Sequence, residues 1–351
     1  MSNRRFLVLL GGFLGAGKTT LILTASRLLS ARGLRTAAIL NDQGAHLVDT
    51  ELVKRNGFAA DQVTGGCFCC RFSDLIDAAQ RLNDFHPDVI FAEAVGSCTD
   101  ISATTLQPLR LYYRQEYELA PYTVLVDGIR AEECFSQPDS DLAFLFHKQL
   151  AEADLVAFTR TDLYSSFPCI PDCPVRYMSP LTGEGVTAWL DEVLDAKLPF
   201  GSKVLEIDYE RYARAEASLA WLNCKARVTL ETAQTPASVV GPLLERLDEF
   251  FSDSNIRLAH LKLMSDCAAG YVKASVISNG ATPSIEGILH ASAEREHELL
   301  LNVRAIADPS VLQRLVEQEL VALPGAVIIS NMQCFRPSPP RPQHRLDLVT
   351  S

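Results

Sequence analysis

Short apolar runs alternate with amphipathic stretches along the first 195 or so residues of the chain. The apolar runs predict buried parallel strands, and they lie at 6–10, 34–40, 89–92, 123–127, 155–158 and 175–178. Stretches with apolar residues at helical spacing lie between these runs, at 20–30, 72–82, 144–151 and before about 194. Strands alternating with helices in this way predict an α/β domain over residues 1–198, with a doubly wound, mostly parallel sheet.

A different order of elements follows the linker at 198–201. Helix-compatible polar residues occupy 206–222, and amphipathic helices are predicted at 236–251 and 309–323. Strand patterns lie at 223–230, 256–264, 271–277, 298–305 and 326–330. This order predicts a smaller α+β domain over 199–335, with its helices on one face of an antiparallel sheet. The last residues, 336–351, form a Pro-rich, basic tail that is expected to be extended.

Glycines punctuate the turn between the first apolar run and the first predicted helix. Gly12 to Thr19 read G-x-x-x-x-G-K-T, the pattern of a P-loop NTPase. Glycine lets the backbone N–H groups approach a phosphate at a helix N-terminus, where the dipole favours anions. Lys18 would reach the β and γ phosphates, and the Thr19 hydroxyl would hold Mg²⁺. We therefore predict nucleoside triphosphate binding, because a chance glycine-rich turn would not need this strand and this helix around it.

Acidic residues follow the second and third apolar runs. Glu93 ends the run at 89–92 and precedes Gly96, the arrangement that a P-loop enzyme uses to sense Mg²⁺ and the γ phosphate. Asp42 and Asp49 lie where a mobile loop could bring carboxylates towards Mg²⁺. Solvated loop acids are the alternative for both.

Three thiols crowd into four residues directly after Gly65 and Gly66. Cys67 and Cys69 point the same way in an extended segment, and Cys70 joins them only if the backbone bends. Thiolates are soft ligands that suit Zn²⁺ or Cu(I), and three ligands with an open position suit a site that releases its metal. Redox chemistry and buried inert cysteines are the alternatives. A fourth ligand could come from Cys98, His46 or His86.

Composition narrows the class of protein. The 351 residues carry a net charge of −11, which argues against a nucleic-acid partner. No apolar run approaches the roughly 20 residues that span a bilayer, and the apolar run near the N-terminus continues into the glycine-rich loop instead of resembling a signal peptide. We expect a cytoplasmic protein, in which the ten cysteines stay reduced and their clusters serve metal or redox chemistry.

The motifs, taken in order, resemble the CobW family of metal-linked GTPases, relatives of the maturation factors for urease and hydrogenase. They are GGFLGAGKTT, NDQG, GGCFCC, EAVG, Asp162 and SPLTGEGV, spread over the first 195 or so residues. The resemblance implies a slow GTPase, dependent on Mg²⁺, that acts as a metallochaperone or maturation factor. It implies that Cys67, Cys69 and Cys70 bind Zn²⁺ or another transition metal for a client metalloprotein or cofactor-synthesis enzyme. A nucleotide-dependent homodimer is a further form that it allows.

The resemblance also implies roles for individual residues, with Lys18, Thr19 and Glu93 as the catalytic group. The nucleotide would be held by Gly12, Gly15, Ala16, Gly17, Lys18, Thr19, Thr20, Asp162 and Ser179, and Mg²⁺ by Thr19 and Asp42. An Asp at position 162 can accept hydrogen bonds from guanine N1 and N2.

Three departures from the family pattern bear on these roles. Thr159 stands where the family has an Asn near the base, Pro180 removes a backbone N–H, and Asp42 replaces a Glu. GTP remains the expected nucleotide, with weakened discrimination against ATP.

Two other functions fit parts of the pattern. One is a nucleotide- and metal-gated binding protein whose hydrolysis is incidental, and a client that accelerates hydrolysis would exclude it. The other is a small-molecule kinase, which leaves GGCFCC and SPLTGEGV unexplained.

Overall fold

The structure, a computed structural model, describes residues 4–44, 48–195 and 199–348. It divides into two compact units. The first comprises Met1–Gln43, Asp49–Ala215 and Pro339–Ser351, and the second comprises Gly44–Val48 and Glu216–Ser338. Residues 199–215 thus join the first unit, whereas the sequence placed the boundary at 198. One reason is that Asp154 accepts hydrogen bonds from the backbone N–H groups of Gly201 and Ser202.

The first unit is built on a parallel sheet. Its strands are β1 (Arg5–Gly12), β2 (Thr36–Asn41), β3 (Ala59–Val63), β4 (Val89–Glu93), β5 (Tyr117–Leu119), β6 (Thr123–Asp127), β7 (Leu155–Thr159) and β8 (Val175–Tyr177). They lie in the order β3-β2-β4-β1-β6-β7-β8, with β5 also pairing with β1, and each of these pairings is parallel. This confirms the doubly wound sheet, whose strands all end at one edge.

The helices around this sheet agree with the sequence where the apolar pattern is long. They are α1 (Lys18–Ala31), α2 (Val48–Arg55), α3 (Phe72–Arg81), α4 (Gln107–Tyr112), α5 (Gly128–Ser136), α6 (Asp141–Glu152), α7 (Val186–Val193) and α8 (Tyr209–Ala217). The sequence missed α2, α4 and α5, which are short, and it missed β3 and β5. The strand β3 reads AADQV and is only partly buried, so it carries no apolar run.

The second unit is an antiparallel sheet with helices, as predicted. Its strands are β9 (Ala220–Gln234), β10 (Arg257–Cys267), β11 (Gly270–Val276), β12 (Ser284–Gly287), β13 (Glu294–Ile306) and β14 (Gly325–Phe335), in the order β12-β11-β10-β13-β9-β14. Helices α9 (Pro236–Asp253) and α10 (Pro309–Val321) contribute Leu243, Phe251 and Leu312 to the core. The helix expected over 206–222 ends at Ala217, since Ala220 already begins β9.

No helix in the ranges given above is long and apolar enough to cross a membrane.

Gly12, at the end of β1, is expected to be essential for stability. Its φ is +125°, and a Cβ there would lie 2.3 Å from the Leu125 carbonyl oxygen on β6. We expect Gly12→Ala to lower the free energy of unfolding by about 3 kcal/mol or more, from backbone strain and this clash. The measurement is urea unfolding followed by circular dichroism.

Gly33 offers the matched control. It also has a positive φ, +80°, but nothing lies within 4 Å of a Cβ built there. Gly33→Ala should therefore show only the conformational cost of about 1–2 kcal/mol. Equal losses in the two variants would show that the clash with Leu125 is relieved, and that conformation alone sets the cost.

Candidate functional site

The loop between β1 and α1 brings a buried cation to a helix N-terminus. Lys18 is only 6% exposed, and its Nζ donates to the Gly12 carbonyl at 2.8 Å and lies 3.4 Å from the Phe13 carbonyl. Gly15 and Gly17 both adopt positive φ, at 80° and 90°, and Gly17 directly precedes α1. The positive charge and the helix dipole therefore act on the same place, which is what a phosphate group requires.

Two carboxylates converge on the hydroxyl of Thr19. Its Oγ1 lies 2.9 Å from Asp49 Oδ1 and 2.8 Å from Glu93 Oε2. Glu93 is 7% exposed at the end of β4, and its Oε1 is 3.9 Å from Lys18 Nζ. A hydroxyl and two carboxylates form an oxygen-rich site of the kind that Mg²⁺ prefers, next to a place for phosphates.

The structure distinguishes the two acids that the sequence singled out after β2. Asp49 lies in the first turn of α2, so the expected mobile loop around it is instead helical. Asp42 follows β2 directly, and its backbone N–H donates to the Val63 carbonyl at 3.2 Å. The assignment of Asp42 to Mg²⁺ stays a prediction, and Asp49 is the acid whose contact with Thr19 the structure gives.

Thr159 and Arg160 brace the phosphate-binding loop from β7. The buried Thr159 hydroxyl donates to the Ala16 carbonyl at 3.0 Å. Arg160 has a φ of +61°, and its Nη2 lies 3.5 Å from the Gly15 carbonyl while its Nε lies 3.3 Å from Asp127 Oδ2. Thr159, which departs from the family's Asn, thus holds the loop through a hydroxyl that reaches the backbone.

The segments predicted to hold the base lie beside the same loop. Pro180 accepts a hydrogen bond from the Thr24 hydroxyl at 2.7 Å, and its Cγ is 3.8 Å from the position of a Cβ on Gly17. Asp162 is exposed in the turn that follows β7, and Ser179 is buried. This arrangement is compatible with base contacts at Asp162 and Ser179, which stay predictions.

The three thiols of the GGCFCC motif meet on a single turn. Cys67 Sγ lies 2.7 Å from Cys69 Sγ and 3.5 Å from Cys70 Sγ, and Cys69 Sγ lies 3.6 Å from Cys70 Sγ. The backbone bends as required, because the N–H groups of Cys70 and Arg71 both donate to the Cys67 carbonyl. This cysteine turn, residues 67–70, gathers ligand atoms that all lie within 4.8 Å of one another. One metal ion fits such a set.

The thiols of the cysteine turn hold their protons more tightly than ordinary thiols. Hydrogen bonds with Cys67, Cys70 and Cys98, together with burial, raise the pKa of Cys69 well above its usual value. A hydrogen bond with Cys67 and burial raise the pKa of Cys70 to about 11. Hydrogen bonds with Cys69 and Cys70 lower the pKa of Cys67, but Cys98 and burial outweigh them, so it is raised as well. Metal binding must therefore displace protons.

Asn41, the last residue of β2, fixes the cysteine turn. Its Nδ2 donates to the carbonyls of Val63 and Gly66, at 3.0 and 2.8 Å, and its Oδ1 accepts from the Phe68 N–H at 2.9 Å. The sequence analysis identified Asn41 only as part of the NDQG motif. Its three partners lie more than 20 residues along the chain, so no local pattern could show this role.

Of the candidates for a fourth ligand, Cys98 lies next to the cysteine turn. It is 1% exposed in the segment after β4, and its thiol is a hydrogen-bonding neighbour of Cys67 and Cys69. His86 precedes β4, whereas the cysteines follow the end of β3. Because β3, β2 and β4 are parallel, His86 lies at the opposite edge of the sheet. His46 lies outside the described residues.

Residues 6–168 match the family profile described as "CobW/HypB/UreG, nucleotide-binding domain". These residues therefore form a nucleotide-binding domain of the CobW/HypB/UreG class, which confirms the resemblance drawn from the motifs. The zinc chaperone YjiA of Escherichia coli (strain K12) is 32% identical over 163 residues, which cover 44% of this chain and 49% of that protein. The zinc chaperone CobW of Sinorhizobium sp is 30% identical over 183 residues, covering 43% and 49%. The chain thus spans about half the length of the curated relatives that it matches.

Solved structures show weaker likeness. HypB from Helicobacter pylori in complex with nickel aligns with a TM-score of 0.42 and 17% identity, covering 55% of this chain and 87% of that chain. The Zn(II)-bound YjiA GTPase from E. coli aligns with a TM-score of 0.33 and 16% identity, covering 90% and 98%. The class of the domain rests on the sequence match.

Proposed function

We propose that the protein is a Mg²⁺-dependent GTPase that carries a transition metal, Zn²⁺ first, and passes it to a client metalloprotein or cofactor-synthesis enzyme. The observation that carries the proposal is the cysteine turn, whose three gathered thiols share a domain with the phosphate-binding loop. That two relatives are named zinc chaperones supports the choice of metal.

The phosphate-binding part of the proposal assigns each residue around the phosphates a task. Lys18 and the loop N–H groups neutralise the β and γ phosphates, and Thr19, Asp49 and Glu93 hold Mg²⁺ directly or through its waters. Glu93 also orients the attacking water. Hydrolysis then proceeds by positioning and charge stabilisation, and it is slow without a client.

The base-binding part of the proposal favours guanine. The exposed Asp162 accepts from guanine N1 and N2, and Ser179 shapes the facing segment. Pro180 has no N–H to offer to the guanine O6, so discrimination against ATP is weaker than in relatives with an alanine there.

The metal-binding part of the proposal rests on ligand chemistry. Cys67, Cys69 and Cys70 supply soft thiolates from one turn, and Cys98 supplies a thiol beside them. Three ligands from one turn leave a coordination position for an acceptor, so such a site can pass its cargo by ligand exchange, unlike a structural zinc site closed by four ligands.

Strands β2 and β4 connect the nucleotide site with the thiols, since residues at the end of each strand or just after it contribute to both sites. At the end of β2, Asn41 holds the cysteine turn, and eight residues later Asp49 contacts Thr19. At the end of β4, Glu93 contacts Thr19, and Cys98 follows in the segment after the strand. Phosphate contacts that rearrange these segments would therefore change the positions of the thiols.

A zinc titration tests the proposal directly. We expect the reduced protein to bind one Zn²⁺ tightly against a competing chelator, and Mg²⁺ with a non-hydrolysable GTP analogue to shift that affinity. By linkage, Zn²⁺ must then shift the affinity for the analogue by the same factor. The Cys67/Cys69/Cys70→Ser variant should lose the site.

The matched control is Cys169→Ser, which removes an exposed thiol away from the turn and should bind Zn²⁺ as the wild type does. Tight binding that survives the triple substitution would overturn the assignment of these cysteines. Zinc affinity that ignores the nucleotide would overturn the coupling.

A further inference from the structure

The segment from Arg341 to Leu346 lies against the cysteine turn, about 270 residues away in sequence. The backbone N–H of Arg341 donates to Cys70 Sγ at 3.1 Å. Two residues on, the backbone N–H of Gln343 donates to the Cys69 carbonyl at 2.8 Å. We call residues 341–346 the strap. It makes backbone contacts to a thiol and to a carbonyl of the candidate metal site.

Side chains of the strap fasten it to the start of α3, next to the cysteine turn. Gln343 Oε1 accepts from the Ser73 N–H at 2.8 Å, and its Nε2 donates to Ser73 Oγ at 3.2 Å. The His344 ring meets the Phe72 ring edge-on at 5.1 Å between centroids and lies 5.7 Å from the Tyr112 ring. The Gln343 amide, the His344 ring and the backbone of the strap all make contacts, so together they select one register of the strap against α3 and the cysteine turn.

The far end of the strap is held by the segment that contains Cys98. Arg345 Nε donates to Asp100 Oδ2 at 2.9 Å, and the Asp100 side chain is 1% exposed. The Leu346 N–H donates to the Ala103 carbonyl at 2.9 Å. The strap therefore spans from the cysteine turn to the segment that follows Glu93 and Cys98.

We propose that the strap is part of the metal site: it stabilises the Cys70 thiolate through the Arg341 N–H, and it must lift before the metal passes to an acceptor. The inference rests on the proposed function, because it takes the thiols to be metal ligands. A backbone N–H directed at a sulfur stabilises the anionic thiolate relative to the thiol. A metal bound to that thiolate is retained more firmly for the same reason.

The sequence of the strap suits a segment that closes and lifts as a unit. Arg341 lies between Pro340 and Pro342, and the chain reads PPRP from 339 to 342. Prolines hold the backbone extended even when it is free, so little conformational entropy is lost when the strap closes. Because closure costs little conformational entropy, the strap can close and open reversibly.

Release of zinc to an excess of chromogenic chelator, followed by stopped flow, tests the strap. The full-length protein is compared with a chain that ends at Ser338. If release requires an open strap, the release rate is proportional to the fraction of molecules in which the strap is open. We therefore expect the shortened chain to release Zn²⁺ at least about tenfold faster than the full-length protein. Binding of a GTP analogue, measured in both proteins, reports that the shortened chain is folded.

A single substitution separates the Arg341 N–H from the rest of the strap. Arg341→Pro removes that donor, and the extended backbone that Pro342 already imposes on residue 341 is compatible with proline. Arg341→Ala keeps the donor and is the matched control. We expect faster release from Arg341→Pro, by about threefold, since one ordinary hydrogen bond is lost and the other contacts of the strap remain. We expect wild-type release from Arg341→Ala. The thiolate-to-metal charge-transfer band of the Co²⁺ form should shift only in Arg341→Pro.

The outcomes separate the strap from the proposed function. Equal release rates with and without residues 339–351 would overturn the strap. Equal rates and equal Co²⁺ spectra for the Pro and Ala variants would overturn the role of the Arg341 N–H. A full-length protein that binds no zinc through Cys67, Cys69 and Cys70 would overturn the proposed function itself, before the strap is considered.

Discussion

Zinc affinity is expected to rise about a thousandfold for each pH unit between roughly pH 6 and 8, because three thiols must each lose a proton to bind. The thiol pKa values set this range. All three are raised above the ordinary value, that of Cys70 to about 11. Throughout the range the free protein therefore carries protonated thiols, and each bound Zn²⁺ releases one proton per thiolate.

The direction of this pH dependence follows from which state of the protein, metal-free or metal-bound, holds the protons. The metal-free thiols are protonated below their pKa values and the metal-bound thiolates are not, so acid favours the free protein. Affinity rises with pH and levels off only above the thiol pKa values. The measurement is a series of competition titrations with a chelator of known proton affinity, plotted as the logarithm of affinity against pH.

The slope of that plot also counts the ligands. Three thiolates give a slope of about three, and a fourth from Cys98 gives about four, which Cys98→Ala would return to three. A slope near one would contradict the prediction, because it would mean that only one thiol loses its proton when the metal binds.

Lys18→Ala is expected to lower GTP affinity by roughly a hundred- to a thousandfold and to abolish hydrolysis. The Lys18 ammonium is buried at the loop, and the proposed contacts to two phosphates would contribute about 3–4 kcal/mol as charge-assisted hydrogen bonds. Zinc binding without nucleotide should be unchanged, but the nucleotide should no longer shift it. A fluorescent GTP analogue measures the affinity.

Lys54→Ala is the matched control for this loss. Lys54 lies on α2, its side chain is 52% exposed, and its Nζ is 4.0 Å from Glu51. Removing such an exposed ion pair changes little, so wild-type nucleotide affinity is expected. If Lys18→Ala retained wild-type affinity, the loop would not be the phosphate site.

The parts of the fold that the sequence predicted are those encoded locally. The loop around Lys18 can be recognised from the sequence alone, because its apolar run, its three glycines and its helix occupy consecutive residues. The cysteine cluster could be recognised for the same reason, whereas the bend that brings in Cys70 was only a condition that the sequence analysis stated. The antiparallel sheet of the second unit was likewise visible as alternating residues, apart from the short strand β12 (Ser284–Gly287).

The parts that the sequence could not provide depend on contacts between distant residues. Asp42 and Asp49 look alike as acids after a strand, and the helix that begins beside Asp49 places it on Thr19. Asn41 reaches the cysteine turn only because β2 and β3 are neighbours. The sequence of the strap does not indicate which residues it contacts, since a Pro-rich tail could lie against many parts of the protein.

The division of the chain into units has a consequence for how such a protein can be inherited. The chain passes from the first unit to the second at Gly44, returns at Asp49, passes again at Glu216 and returns at Pro339. Within the second unit, the Val48 N–H donates to Asn302 Oδ1 at 3.2 Å, so the short insertion has a partner there. No single break in the gene separates the two units intact. Recombination that exchanges one of them as a module would sever the other, and the pair is expected to be transmitted together.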